Sequence, residues 1–269
     1  MVALFVAAGL RGVHFVLVTI PAVSDQAVGI DYRTVIGAAR SYLDGDGFYP
    51  AAQLAGPYPR NAGPILYPPV SLWLFAPFVA LPAFLWWAIP VALTVWAFVR
   101  LRPSAAALAV VGLLLILPAS QSPIIYGNPV MWLVPALAWG LMRGGWAVAI
   151  LAKPSLAPFA LAGVRRRGWW VGLALFVAAS LPFGTMWFDW IVAVEHGGVP
   201  LTHSLRQVPL MLIPLVAWLG RSRVGERDAR PVQHSGKPDA SGASARRWHP
   251  DDPAVATMAL AGDAPRDRS

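Results

Sequence analysis

GWAVAILAKPSLAPFALAG, residues 145–163, decides how the rest of the chain is read. It is almost wholly apolar, yet a lysine, Lys153, stands at its midpoint with Pro154 directly after it. Arg143 precedes the stretch, and Arg165, Arg166 and Arg167 follow it. Clusters of arginine and lysine mark the cytoplasmic side of a membrane protein. A single span here would carry one of the two clusters to the opposite side. Two half-helices that dip in and return at Lys153-Pro154 keep both on the same side. Broken backbone survives at membrane depth only where protein or a water-filled cavity satisfies its polar groups. The stretch therefore predicts an all-α, polytopic membrane bundle with a re-entrant hairpin inside it.

Composition agrees. The chain is 57% hydrophobic and 13% charged, with thirteen tryptophans, and its mean hydropathy is +0.57. Runs of roughly 15–20 apolar residues recur, the signature of membrane helices. The net charge of +8 comes as short clusters between apolar runs, which is a topology signal and not a nucleic-acid surface. With no cysteine there is no disulfide framework, thiol chemistry or Cys-type metal site. Residues 1–23 lack a basic start and read as a first, imperfect spanning helix in place of a cleaved signal. Arg11 and His14 near its middle are costly in lipid unless they face protein or water; a wrongly assigned start explains them equally well.

Arg100 with Arg102, Arg143, Arg165 to Arg167, and Arg221 with Arg223 each close an apolar run. All four clusters belong on the cytoplasmic side, which leaves residues 24–67, 119–128 and 184–207 as outer segments. Helices are predicted over 83–99, 104–117, 129–142, 169–181 and 208–219. Residues 68–82, PPVSLWLFAPFVALP, are apolar but broken by prolines, and read as a re-entrant or interfacial helix. Residues 1–223 form the membrane domain. Residues 224–269 are rich in Asp, Arg, Ala, Pro, Gly and Ser and are expected to form a disordered cytoplasmic tail.

Only six acidic residues precede that tail: Asp25, Asp31, Asp44, Asp46, Asp189 and Glu195. All fall in the predicted outer segments, so chemistry is expected to face outward. In YRTVIGAARSYL, residues 32–43, Val35, Ile36, Ala39 and Leu43 fall near helical spacing. An amphipathic helix on the outer membrane surface follows, with Asp31 at its start. There the carboxylate either caps free backbone N–H groups or sits at the mouth of a cavity as a general base toward a substrate hydroxyl. The two roles are compatible. Asp44 and Asp46, set among glycines in LDGDGFYP, fit a turn.

An aspartate followed by an aromatic residue, then AARSYLDGDGFYP, LYPPVSLWLFAPFVALP, YGNP and LAKPSLAPFALAGVRRRGWW, stand in an order that resembles glycosyltransferase family 87 over roughly residues 30–221. This is a family of C-superfamily (GT-C) membrane glycosyltransferases, which includes polyprenyl-phosphate-mannose-dependent mannosyltransferases. The resemblance implies inverting transfer of a hexose, mannose first among the choices, from a polyprenyl phosphate to an acceptor hydroxyl outside the cytoplasmic membrane. The acceptor is a glycolipid, a lipoglycan or a protein. The family's base is an aspartate in the first outer loop, a position that Asp31 matches.

In-line attack at the sugar C1 needs a carboxylate on the acceptor side and cations on the phosphate side. The leaving phosphate calls for charge stabilisation more than for protonation. Lys153 is the first candidate for that role, since a lysine in an apolar run is expensive; snorkelling to an interface is its alternative. Arg206 and His203, in LTHSLRQVP, and Arg40 are further phosphate candidates or ordinary surface residues. Tyr67 and Asn128, with Asp44, are candidates for the sugar or acceptor pocket; the first two equally suit a helix cap or an interface. His196 beside Glu195 has no metal-ligand spacing around it, so neither a metal nor a cofactor is expected. The absence of a Gly-rich phosphate loop argues against a nucleotide-sugar donor. Family members continue through further membrane helices where this chain turns polar, so a C-terminally truncated member is expected. A non-catalytic relative and a small-molecule transporter, for which a lysine among broken helices is also a mark, are the competing expectations.

Overall fold

The computed structural model describes residues 28–59, 62–199 and 201–221. The chain divides into two compact units, Met1–Ser222 and Arg223–Ser269, and every described residue belongs to the first. The expected first span over residues 1–23 and the expected tail over 224–269 lie outside the described residues.

The described residues are mostly helical, with no strand beyond an isolated bridge between Pro103 and Arg221. In chain order the helices are α1 (Ile30–Leu43), α2 (Ala51–Ala55), α3 (Leu72–Phe75), α4 (Leu85–Leu101), α5 (Ala105–Ile116), α6 (Pro118–Tyr126), α7 (Val130–Arg143), α8 (Ala157–Ala160), α9 (Arg167–Ser180), α10 (Met186–His196) and α11 (Val208–Leu219). Shorter 3-10 segments cover Pro69–Ser71, Ala76–Val79, Gly145–Ala152, Pro154–Leu156, Leu181–Phe183 and Leu201–Gln207.

Local chemistry sets these boundaries. Ser104 caps α5 by accepting from the Ala107 N–H at 3.3 Å, a standard use of serine at a helix start. Leu117 is extended with Pro118 behind it, as the residue before a proline prefers. α5 therefore stops, and α6 leaves at a bend of 67°. A second bend, of 92°, separates Arg167–Phe183 from α10. Residues 119–128 and 184–207, expected as outer segments, hold α6 and α10, for which no helix was predicted. Proline 118 and Gly184 end one helix without preventing the next.

Among the described residues no single helix is long and apolar enough to cross a bilayer; the two bent pairs, α5 with α6 and α9 with α10, meet that test by length and composition. Val95, Val99, Leu113, Val171, Leu175 and Phe188 all turn outward. Apolar faces of this extent are costly in water and suit a hydrocarbon surrounding.

α7 is the hub. Nearly all of it is buried, because α4, α11 and the Gly145–Ala152 segment pack around it. Val130, Leu137, Ile150, Leu156 and Met211 form the core there. A second core, beneath α1, gathers Val35, Ile36, Ala39, Phe48, Tyr49, Phe75 and Trp86. Three of the four residues expected on the inner face of α1 are buried, while Leu43 is exposed at its end.

The stretch 145–163 doubles back. Gly145–Ala152 runs to Lys153, whose backbone leaves helical geometry (φ −135°, ψ 84°), and Pro154–Leu156 with α8 returns. At the far end the chain meets its own start: a Cβ on Gly163 would lie 2.8 Å from the Gly144 Cα. Trp169 locks the return by donating from Nε1 to the Ala160 carbonyl at 2.6 Å.

Candidate functional site

The turn after α6 builds the site. Gly127 ends that helix in the left-handed region at φ 68°. Its carbonyl accepts from the Trp86 indole at 2.7 Å, and the Ile124 carbonyl accepts from the Trp87 indole at 2.7 Å. The Tyr32 ring lies against both indoles, at centroid distances of 5.5 and 5.3 Å. The Gly29 N–H, at the start of α1, donates to the Ile125 carbonyl at 2.9 Å. The first turn of α1 is thereby fastened to the end of α6, which brings Asp31 and Asn128 face to face across 97 residues of sequence.

Asn128 joins opposite charges. Its Nδ2 donates to Asp31 Oδ2 at 2.6 Å. Its Oδ1 accepts from the Val130 N–H at 3.0 Å, from the Lys153 ammonium at 3.4 Å and from the Tyr67 hydroxyl at 3.4 Å. The chemistry fixes this orientation. Reversing the amide would set its oxygen against a carboxylate and its NH2 against an ammonium and a backbone N–H. Lys153 also reaches the Tyr67 hydroxyl at 3.5 Å and lies 5.3 Å from the centre of its ring. The N-cap of α1 is Gly29, so the Asp31 carboxylate, in the first turn of the helix, is directed to Asn128.

Tyr67 is held by a strap of three consecutive carbonyls. Ile65 O accepts from the Gln53 side chain at 3.0 Å, Leu66 O from the Trp190 indole at 3.1 Å, and Tyr67 O from the Tyr49 hydroxyl at 2.9 Å. Gln53 is fully buried and satisfied, since it also donates to Ala193 O and accepts from the Ile65 N–H. Burial, with the Asp31 charge adding to it, pushes the Tyr67 phenol above its usual range. The hydroxyl therefore stays protonated and able to donate.

Tyr67 and Lys153 also line a cavity of about 570 Å³. Its walls are otherwise almost entirely apolar, and one face of α7, from Pro129 through Trp132 and Trp139 to Arg143, runs its length. By helical rise that face is about 20 Å long. The polar cluster is at one end and Arg143 at the other.

Four candidates named from the sequence thus meet: Asp31, Asn128, Lys153 and Tyr67. Others do not join them. Arg40 is exposed in the last turn of α1, and Asp44 is exposed at its C-cap. By helical rise they stand about 13 and 20 Å along the helix from Asp31. Arg206 is exposed, but its turn, Leu201–Gln207, packs against Pro154–Leu156 just beyond Lys153. The side chain of His203 lies outside the described residues. His196 Nδ1 is 2.8 Å from the Gln53 carbonyl, a contact within the scaffold. Among the described residues no group of three or more His, Asp or Glu is placed to hold a metal ion. The strap residues Tyr49, Gln53 and Trp190 were not singled out from the sequence. The one available signal was Gln53, a lone amide in the otherwise apolar AAQLA.

Fold and site together define a helical protein with bent apolar helices and a carboxylate–amide–ammonium cluster at the end of an apolar cavity. No protein-family model, no curated protein and no solved structure matches the chain.

Proposed function

We propose that the protein is a multi-pass membrane hexosyltransferase of the GT-C type. It moves a sugar, mannose in the first instance, from a polyprenyl phosphate to an acceptor hydroxyl on the extracytoplasmic face of the cell membrane. The observation that carries the reading is the Asn128 amide, which holds a carboxylate on one side and an ammonium on the other where an elongated apolar cavity ends. The sidedness is supported by α7, which has Asn128 just before its start and Arg143 in its last turn. The order of motifs that resembles glycosyltransferase family 87 supplies the substrate class.

In the reaction Asp31 accepts the proton of the acceptor hydroxyl while that oxygen attacks C1 from the face opposite the phosphate. The C1–oxygen bond to phosphate breaks and its electron pair stays on the phosphate. The Lys153 ammonium and the Tyr67 hydroxyl stabilise that charge in a site with little water. The anomeric configuration inverts. Asn128 bridges base and cation, donating to Asp31 and accepting from Lys153.

The test uses the full chain in vesicles with labelled polyprenyl phosphate mannose and glycolipid, lipoglycan or protein acceptors. Transfer that is lost in Asp31→Asn supports the proposal. Failure to transfer from any polyprenyl phosphate sugar ends it, and solute uptake by the same vesicles would identify a transporter.

A further inference from the structure

The two ends of the re-entrant stretch carry charge that the transfer reaction does not use. Arg143 closes α7, and Arg165, Arg166 and Arg167 stand where the stretch returns and α9 begins; all four are exposed. Close backbone approach gathers them. A Cβ on Gly144 would lie 3.2 Å from the Arg166 Cβ, and one on Gly168 would lie 2.8 Å from the Arg143 carbonyl oxygen. Arg166 Nη1 donates to the Met142 carbonyl. The dipole at the end of α7 offers these cations about half an elementary charge, and the start of α9 opposes them with about as much of their own sign.

No carboxylate answers them. Among the described residues no ion pair joins any of the four to an acid, and the acids lie elsewhere. Asp31 is at the Asn128 end of α7, about 20 Å away by helical rise. Asp44 and Asp46 lead into Phe48 and Tyr49, and Asp189 and Glu195 flank Ala193; those three residues belong to the core beneath α1. Two indoles do stand beside the arginines in sequence: Trp146 is 61% and Trp170 60% exposed. Arginine with tryptophan marks the depth of lipid headgroups. The outward apolar face continues along α9 through Val171 and Leu175. A water-borne acidic peptide would meet the charge and leave these side chains uncovered. A phospholipid presents an anion and hydrocarbon together.

We infer that the base of the hairpin binds the headgroup of an anionic phospholipid, with Arg143 and the arginines of 165–167 around its phosphate and Trp146 and Trp170 beside its acyl chains. Guanidinium groups suit a phosphate because they donate to it in pairs. The anion offsets the repulsion among the four arginines and so holds the two ends of the hairpin together. Lys153, at the tip, is steadied as a consequence. The surface is at the opposite end of α7 from Asn128, and it stands whether or not the protein transfers a sugar.

The test is backbone amide exchange over residues 145–160 of the full chain in nanodiscs. One set is phosphatidylcholine alone and the other an equal mixture with phosphatidylglycerol. The anionic discs should slow exchange about tenfold, as one charge-assisted contact against local opening would. Arg165→Gln with Arg167→Gln should abolish the difference between the two lipids. Arg166 is left in place because its contact with Met142 belongs to the fold. Arg100→Gln with Arg102→Gln is the control. α4 runs beside α7 in the same direction, Trp86 at Trp132 and Leu93 at Trp139, so those two exposed arginines close it at the same end. They remove equal charge and should leave the lipid effect intact. If the 165–167 variant does not fold, Arg143→Gln decides by the same comparison. Equal exchange in the two lipids overturns the inference. So does an equal loss in the control, which would report a diffuse surface field. Protection in neutral discs by inorganic phosphate or by a polyglutamate peptide overturns the lipid assignment.

Discussion

The two ends of α1 carry the same kind of residue in different circumstances. Asp31, in the first turn, is partly buried and accepts from Asn128 at 2.6 Å. Asp44, at the C-cap, is exposed. The helix dipole favours a carboxylate at the first position and disfavours it at the second. Scarcity of acids drew attention to the whole stretch, but only the fold separates its members. What distinguishes Asp31 is the anchored turn opposite it, with Trp86 and Trp87 donating to backbone carbonyls.

Neutralising each carboxylate in turn breaks that comparison most sharply. Asp31→Asn should lower kcat/KM for sugar transfer by about 10²–10⁴-fold, the usual worth of a general base. Asp44→Asn should stay within about twofold, as an exposed substitution does. Steady-state transfer assays on the two variants check this. Equal losses would mean that the turn after α1 takes part in the chemistry and that Asp31 is not the base.

Two glycines of positive φ sharpen the contrast next. Gly127 and Gly45 both lie in the region that favours glycine, at φ 68° and 94°. A Cβ on Gly127 would meet Tyr32 and Trp87 at 2.8 Å, whereas one on Gly45 would meet nothing within 4 Å. Gly127→Ala should cost about 3 kcal/mol, adding overpacking to backbone strain. Gly45→Ala should cost about 1–2 kcal/mol from the backbone alone. Unfolding in detergent measures both. Gly127→Ala should also reduce transfer, since the turn it displaces presents Asn128 to Asp31.

Much of this was legible in the sequence. The helices expected over 83–99, 104–117, 129–142, 169–181 and 208–219 are α4, α5, α7, α9 and α11, displaced by at most two residues at either end. Apolar runs closed by arginine announce themselves. α6 and α10 were not among the predicted helices: PASQSPIIY mixes serine, glutamine and proline, and MWFDWIVAVEH carries Asp189 and Glu195. Lys153 stood out as a lone charge in an apolar run, and Asp31 through the shortage of acids. Their meeting at Asn128 was not legible, since it depends on packing between segments 25 and 97 residues apart. The strap was invisible for another reason. Its side chains grip backbone carbonyls, which carry no residue signature.

The smallest effect is expected at that strap. Tyr49 is 4% exposed and packs edge-on to Phe48 at 4.9 Å. Burial, with the charge of Asp189 adding to it, pushes its phenol above the usual range, so it remains a donor to Tyr67 O. Tyr49→Phe keeps the ring and removes only that hydrogen bond, for a loss of about 1 kcal/mol in stability. Gln53 and Trp190 still hold the two preceding carbonyls, so transfer should fall only about threefold, a fraction of that free energy reaching the transition state. Tyr67→Phe, by contrast, takes the hydroxyl itself away from Lys153 and Asn128 and should cost more in kcat than in stability. If Tyr49→Phe impaired transfer as severely as Tyr67→Phe while melting normally, the strap would be setting the position of the hydroxyl by a single bond. The burden would then pass from the α1–α6 junction to the segment before the double proline.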